Sequence, residues 1–182
     1  AMEAALNVSV DIKFDKQGGL DEDDEEQEER DYLGEMELLT RLMITGADPK
    51  KEDDIEQPDK LLIRRAILDA TREARDENKG FVIISDVVRQ FKNYSTIKEL
   101  TSKRKDKIIH LAESLEYWTQ GLHGRFFNRP GSQWPEVDVT ILDMGILTSE
   151  QYQDMLAVTI ISLINTITDI GEKYQNTGRQ TH

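Results

Sequence analysis

Apolar side chains recur at three- and four-residue intervals over most of the chain and alternate with polar ones in a few short stretches, so the pattern predicts mainly helices. Leu6, Val8, Val10, Ile12 and Phe14 alternate ahead of Gly18-Gly19, which is the period of a half-buried strand. From about Glu26 the period lengthens: Tyr32, Leu33, Met36, Leu39, Leu42 and Met43 trace one face of an amphipathic helix, and Gly46 supplies its stop. Residues 48–56 read as a charged loop. Pro58 suits the first turn of a second helix, whose face runs through Ile63, Ile67, Ala70 and Ala74 to an end near Gly80. Residues 81–84 form a short apolar run compatible with an edge strand. Ser85 then caps a brief helix that buries Val87, Val88 and Phe91, and Asn93-Tyr94-Ser95 turns the chain.

Thr96 and Glu99 make a capping-box pair, in which hydroxyl and carboxylate each satisfy a backbone amide, and the next helix shows Ile97, Leu100, Ile108, Leu111 and Leu115 on one face. Gly121 and Gly124 read as stops, followed by a short extended piece through residues 125–131 into a Pro130-Gly131 turn. Val137, Val139 and Ile141 alternate as a strand ending at Asp143-Met144-Gly145. Thr148 and Gln151 then open a long helix to about Gln175, whose Met155, Leu156, Val158, Ile160, Ile161, Leu163, Ile164, Ile167 and Ile170 cover more than one face. A helix so patterned is expected to be buried on several sides.

Composition narrows the chemistry. The chain has 182 residues and a net charge of -13, and residues 21–31 alone carry nine acids against Arg30. That run reads as a solvated acidic linker leading into a helix whose N-terminal dipole favours carboxylates. It lacks the Asp-x-Asp-x-Asn-Gly spacing that wraps calcium. Without cysteine there is no disulfide, thiol nucleophile or Cys-ligated zinc. No stretch has the ~18 consecutive apolar residues of a spanning helix, and no basic-then-apolar leader opens the chain. A cytoplasmic protein is expected. Ala1 ahead of Met2 reads as a residue left by tag removal, so the chain is expected to be a piece of something longer.

Within the chain the search for catalytic chemistry finds little. A P-loop needs Gly-x-x-x-x-Gly-Lys-Ser/Thr so that backbone amides face the phosphates, and Gly46-Ala47-Asp48-Pro49-Lys50-Lys51 matches it only superficially. His110, His123 and His182 lack metal-ligand spacing and read as ordinary surface or helix residues. Lys103-Arg104-Lys105-Asp106-Lys107 is a single basic cluster, read as an exposed helix face; direct nucleic-acid binding is not expected.

Five ordered segments nevertheless carry a resemblance: Asp31-Tyr32-Leu33-Gly34-Glu35-Met36, Arg41-Leu42-Met43-Ile44-Thr45-Gly46, Gly124-Arg125-Phe126-Phe127-Asn128-Arg129-Pro130-Gly131, Asp138-Val139-Thr140-Ile141-Leu142-Asp143-Met144-Gly145 and Ser162-Leu163-Ile164-Asn165-Thr166. Together they resemble the conjugative-transfer ATPases of integrative and conjugative elements, the type IV secretion motors with a RecA-like core of the HerA/FtsK type, over residues 29–175. The resemblance implies a fragment lying between the Walker A and Walker B motifs, both of which the chain lacks, inactive by itself and without a cofactor or metal. ATP and magnesium belong to the parent, which would work as a hexamer with inner-membrane components of the secretion system.

The implied organisation is a helix-rich α/β chain. Residues 1–20 form a strand segment, 21–31 an acidic linker, 32–120 a helical insert of about four helices, and 121–182 a partial ATPase-core strand with a long buried helix. Arg125 and Arg129 flank Phe126 and Phe127, with Trp134 close behind. The plain reading puts the aromatics in a core and pairs the arginines with carboxylates. The functional reading gives Arg125 and Arg129 a phosphate or subunit contact in the parent, where a planar guanidinium grips phosphate with two hydrogen bonds. The alternative function is a free-standing helical adaptor of a mobile element, binding another protein through a helical face.

Overall fold

The computed structural model describes residues 22–131 and 139–176, with side chains for residues 32–131, 139–168, 170 and 171; the alternating segment at residues 6–14, Trp134, Val137 and His182 lie outside the described residues. Seven α-helices occur among the described residues, and none of these residues is in a strand. They are α1 (Glu22–Thr45), α2 (Pro49–Asp53), α3 (Gln57–Asp76), α4 (Ile84–Ser95), α5 (Ser102–Glu116), α6 (Gly121–Phe127) and α7 (Gln153–Asn176). No helix among them is long and apolar enough to cross a membrane.

Helix α1 takes in the acidic residues from Glu22 onward and buries Met36, Leu39 and Met43 at the spacing the sequence shows. It ends where Gly46 turns left-handed at φ 65°, a conformation that any Cβ would strain, and the Ala47 amide donates back to the Leu42 carbonyl at 2.9 Å. The expected charged loop then contains a helical turn, α2. Asp48 accepts from the Lys50 amide at 3.0 Å and Pro49 occupies the first turn, so local capping outweighs the lack of an apolar face.

Helix α3 buries Ile63, Ala66, Ile67, Ala70 and Ala74, and its small residues let neighbouring helices approach. Asp59 near its start is 1% exposed. Its carboxylate accepts from Arg104 at 3.0 Å and pairs with Lys107 at 3.3 Å, both on α5, and also accepts from the Glu56 amide at 3.3 Å. Two members of the basic cluster are therefore engaged in holding α5 to α3.

The run at residues 81–84 is not an edge strand: Val82 is buried without a partner strand, and α4 begins at Ile84. The cap is Asp86 rather than Ser85. Its carboxylate accepts from the Ile83 amide at 2.9 Å and from Lys79 at 2.5 Å. Val87, Val88 and Phe91 are buried as expected. Asn93-Tyr94-Ser95 is the last turn of α4 and not a break, and the Thr96 hydroxyl donates to the Asn93 carbonyl at 2.7 Å, so the expected Thr96–Glu99 box closes one helix instead of opening the next. The N-cap of α5 is Thr101, and Ile97 lies outside that helix and exposed.

Helix α1 forms the spine, packing against α3, α5 and α7, while α4 lies against α5 and α3. One continuous apolar core runs from Met36 to Val158 and includes Trp118 and Phe127.

The C-terminal part departs most from expectation. Residues 139–144 are irregular, with Val139 76% and Ile141 87% exposed. The alternating pattern is present, but no strand among the described residues offers the hydrogen-bonding edge a strand needs. Thr148 does not cap α7, because its hydroxyl donates to the Gly145 carbonyl at 2.8 Å inside a 3₁₀ turn, and a second 3₁₀ turn (Glu150–Tyr152) intervenes. Helix α7 buries Met155, Val158 and Leu163 but leaves Ile160, Ile164 and Ile167 exposed, so its burial is one-sided and not the several-sided burial its composition suggests.

Candidate functional site

The corner between α5 and α7 holds Arg125 and Arg129. Trp118 sits in the 3₁₀ turn Tyr117–Thr119 and donates its indole N–H to the Met43 carbonyl at 2.7 Å, anchoring the corner to the end of α1. Its ring meets Phe127 edge-on at 5.1 Å and His123 edge-on at 4.9 Å, the arrangement that matches positive ring edges to negative faces.

Helix α6 spans the two glycines read as stops and takes in part of the piece expected to be extended. The correction has a steric cause. Gly121 starts the helix with φ 55°, and Gly124 lets it pack on the preceding turn, because a Cβ there would meet the Thr119 carbonyl oxygen at 2.2 Å. Gly124→Ala is therefore expected to destabilise the chain by about 1 to 3 kcal/mol, as overpacking against backbone does. Thermal melting of this variant should show a clear drop, and an unchanged midpoint would contradict the close approach.

Once Phe127 points into the core, Arg125, two positions earlier and about 200° away around the helix, points outward. Arg125 is exposed and engages no carboxylate among the described residues. Arg129 is half-buried and has interactions of its own. Between them, the Asn128 side-chain oxygen accepts from the Ser85 amide at 2.9 Å, which ties the end of α6 to the start of α4. Phe126 is half-buried against the core and Phe127 is within it. The two arginines thus share a corner but not an environment.

His123 lies on α6, one of the two positions read for it, and is buried there rather than at the surface. Its Nε2 lies 3.1 Å from an Asp154 oxygen at the start of α7, and the Tyr117 ring lies tilted beside it, 4.4 Å between centroids. The pair bridges α6 and α7. The sequence carried a faint signal for this role, since two aromatic residues precede His123 in a short span next to glycines. The other visible histidine, His110, is exposed, 3.5 Å from the Ser114 hydroxyl. No group of three or more His, Asp or Glu residues is placed to hold a metal among the described residues.

Chemically the corner offers one free guanidinium on a rigid mount, suited to grip an anion presented by another molecule or subunit. Comparison with protein-family models, with curated proteins and with solved structures finds no match to the chain.

Proposed function

We propose that the chain is a structural and interaction region of the ATP-hydrolysing motor of a type IV secretion, conjugative DNA-transfer system, comprising a helical insert and a partial RecA-like strand-helix unit. The observation that carries this reading is where the resembling segments fall. Two lie on α1 and its stop, one on α6 and the turn after it, one on the approach to α7 and one within α7; helices α2 to α5 carry none. The segments on α1 fall within residues 32–120, read as the insert, and those on α6 and α7 within residues 121–182, read as the core part; α1 packs against α7 and α6 is tied to α7 by His123 and Asp154, so the two parts would meet along these helices.

Two further features support the reading. Ile160, Ile164 and Ile167 form an exposed stripe on α7, and the helix has no charged residue between Asp154 and Asp169. Val139 and Ile141 stand exposed on the segment leading to it. The rest of an ATPase core, with a sheet edge and an apolar face, would cover both. The parent would act as a hexamer, reaching the inner membrane through the secretion complex, with ATP and magnesium held by residues outside this chain. In it, Arg125 is the residue assigned to phosphate or to the neighbouring subunit, with Arg129 second.

The isolated chain is expected neither to bind nor to hydrolyse ATP, since phosphate cradle, magnesium ligand and water-activating acid are all missing from the sequence. Calorimetric titration with magnesium-ATP should register no binding heat. Micromolar affinity would overturn the reading of an inactive piece. The competing reading, a free-standing helical adaptor, is favoured by the continuous core that the described helices build without any partner.

A further inference from the structure

The outward face of α3 differs in charge from the chain as a whole. Leu61, Arg64, Arg65, Leu68 and Arg72 follow at helical spacing along it and, with Asp69, line a shallow groove of about 460 Å³. Leu61 is 69% exposed and Leu68 also lies open. Around these two leucines stand three guanidinium groups, on a chain whose net charge is -13.

Two carboxylates face these three groups. Glu37 lies 3.2 Å from Arg64 and 3.5 Å from Arg41, which has Glu52 as a second partner at 3.5 Å. Asp69 lies 2.7 Å from Arg72 and also accepts the neutral Tyr94 hydroxyl at 2.5 Å. Arg65 engages no carboxylate among the described residues. Each guanidinium carries five N–H donors, so one shared partner leaves most of them directed to solvent. The result is a groove with two open leucines and one positive charge, Arg65, in excess of the carboxylates beside it.

We propose that this face of α3 docks an acidic amphipathic helix of a partner protein, with an apolar side chain seated between Leu61 and Leu68 and carboxylates set against Arg64, Arg65 and Arg72. Leu61 and Leu68 are two turns apart, about 10 Å along the axis, which suits one apolar knob flanked by charges a turn to either side. Charge complementarity selects the sign of the partner, and the two leucines require it to be amphipathic. A second copy fits less well: the acidic residues 21–31 contain no apolar side chain to enter the groove. A nucleic acid would meet a strongly negative chain, and the groove has no aromatic ring on which a base could stack. A lipid surface calls for a broader apolar face than two leucines. The inference stands independently of the motor assignment, since it uses only α3 and its neighbours.

The test uses the isotope-labelled full chain and nuclear magnetic resonance. The probe is a synthetic helical peptide bearing leucines two turns apart flanked by glutamates; its lysine-for-glutamate counterpart, a short DNA duplex and phosphatidylserine-containing vesicles serve as the other arms. The acidic peptide is expected to shift amides along α3 between Leu61 and Arg72, more weakly as salt is raised, while the lysine counterpart leaves them unmoved. Arg65→Glu and Leu61→Ala are each expected to weaken binding about tenfold, as interface anchors do, without lowering the melting temperature. The proposal is overturned by any of four results: no shift at millimolar peptide, shifts confined to other helices, undiminished binding by both variants, or the same amides moving at lower concentrations of duplex, vesicles or the chain itself.

Discussion

Trp118→Ala is expected to lower stability by about 3 to 5 kcal/mol, the cost of emptying a buried indole site. Trp118 is 1% exposed and is the largest fully buried side chain in the described core. Its removal takes away ring contacts to His123 and Phe127 and the N–H that reaches the Met43 carbonyl, so α6 loses its anchor to α1 in one step. For a chain of this size that loss corresponds to a fall in melting temperature of roughly 6 to 20 °C. Trp118→Phe keeps part of the packing but no donor, and should fall between the two, about 1 to 3 kcal/mol below the parent sequence. Denaturant unfolding followed by circular dichroism decides the matter. A loss under 1 kcal/mol for Trp118→Ala would mean that the corner folds without the indole.

The second large effect concerns Arg125 in the proposed full-length motor. If its guanidinium reaches phosphate across a subunit boundary, as proposed, Arg125→Ala should reduce ATP turnover by a factor on the order of 10³ to 10⁵, as loss of an arginine finger does. Folding should be spared: an exposed arginine without a carboxylate partner contributes within about 1 kcal/mol. Arg129→Ala, at a half-buried position beside the Asn128 lock, is expected to cost more stability and less turnover. Melting of each variant of the chain beside the steady-state ATPase of the matching full-length variant separates the two roles. Unchanged turnover in both variants would leave only a structural role for the corner.

Helices whose apolar residues keep one face were readable because burial needs only the local period: Met36, Leu39 and Met43 on α1, and Ile63, Ile67, Ala70 and Ala74 on α3, lie where that period puts them. Caps were less readable. Thr96 and Thr148 have the right type and spacing to open helices, yet each hydroxyl bonds a carbonyl three residues back, because the same side chain can close one turn or start the next. Glycine misled for a similar reason, since Gly124 makes room for the Thr119 carbonyl rather than ending a helix. The strand expected at Val139 and Ile141 depended on a neighbour that the alternation cannot supply.

At the candidate corner, the aromatic character around Phe127 was legible and the inward packing of Phe127 follows it. The burial of His123 was not, because its partner Asp154 lies on another helix. The Arg/Leu face of α3 could be traced by helical spacing, but its one excess cation, Arg65, became visible only when Arg64 and Arg72 were seen to pair with Glu37 and Asp69.

The nucleotide sequence of the reading frame on both sides of these residues tests the motor assignment most directly. A motor fragment requires a P-loop encoded ahead of Met2 and, beyond His182, an apolar strand ending in Asp-Glu. A frame that opens at Met2 and closes at His182, with neither motif in it, would contradict the assignment and leave the helical adaptor in its place.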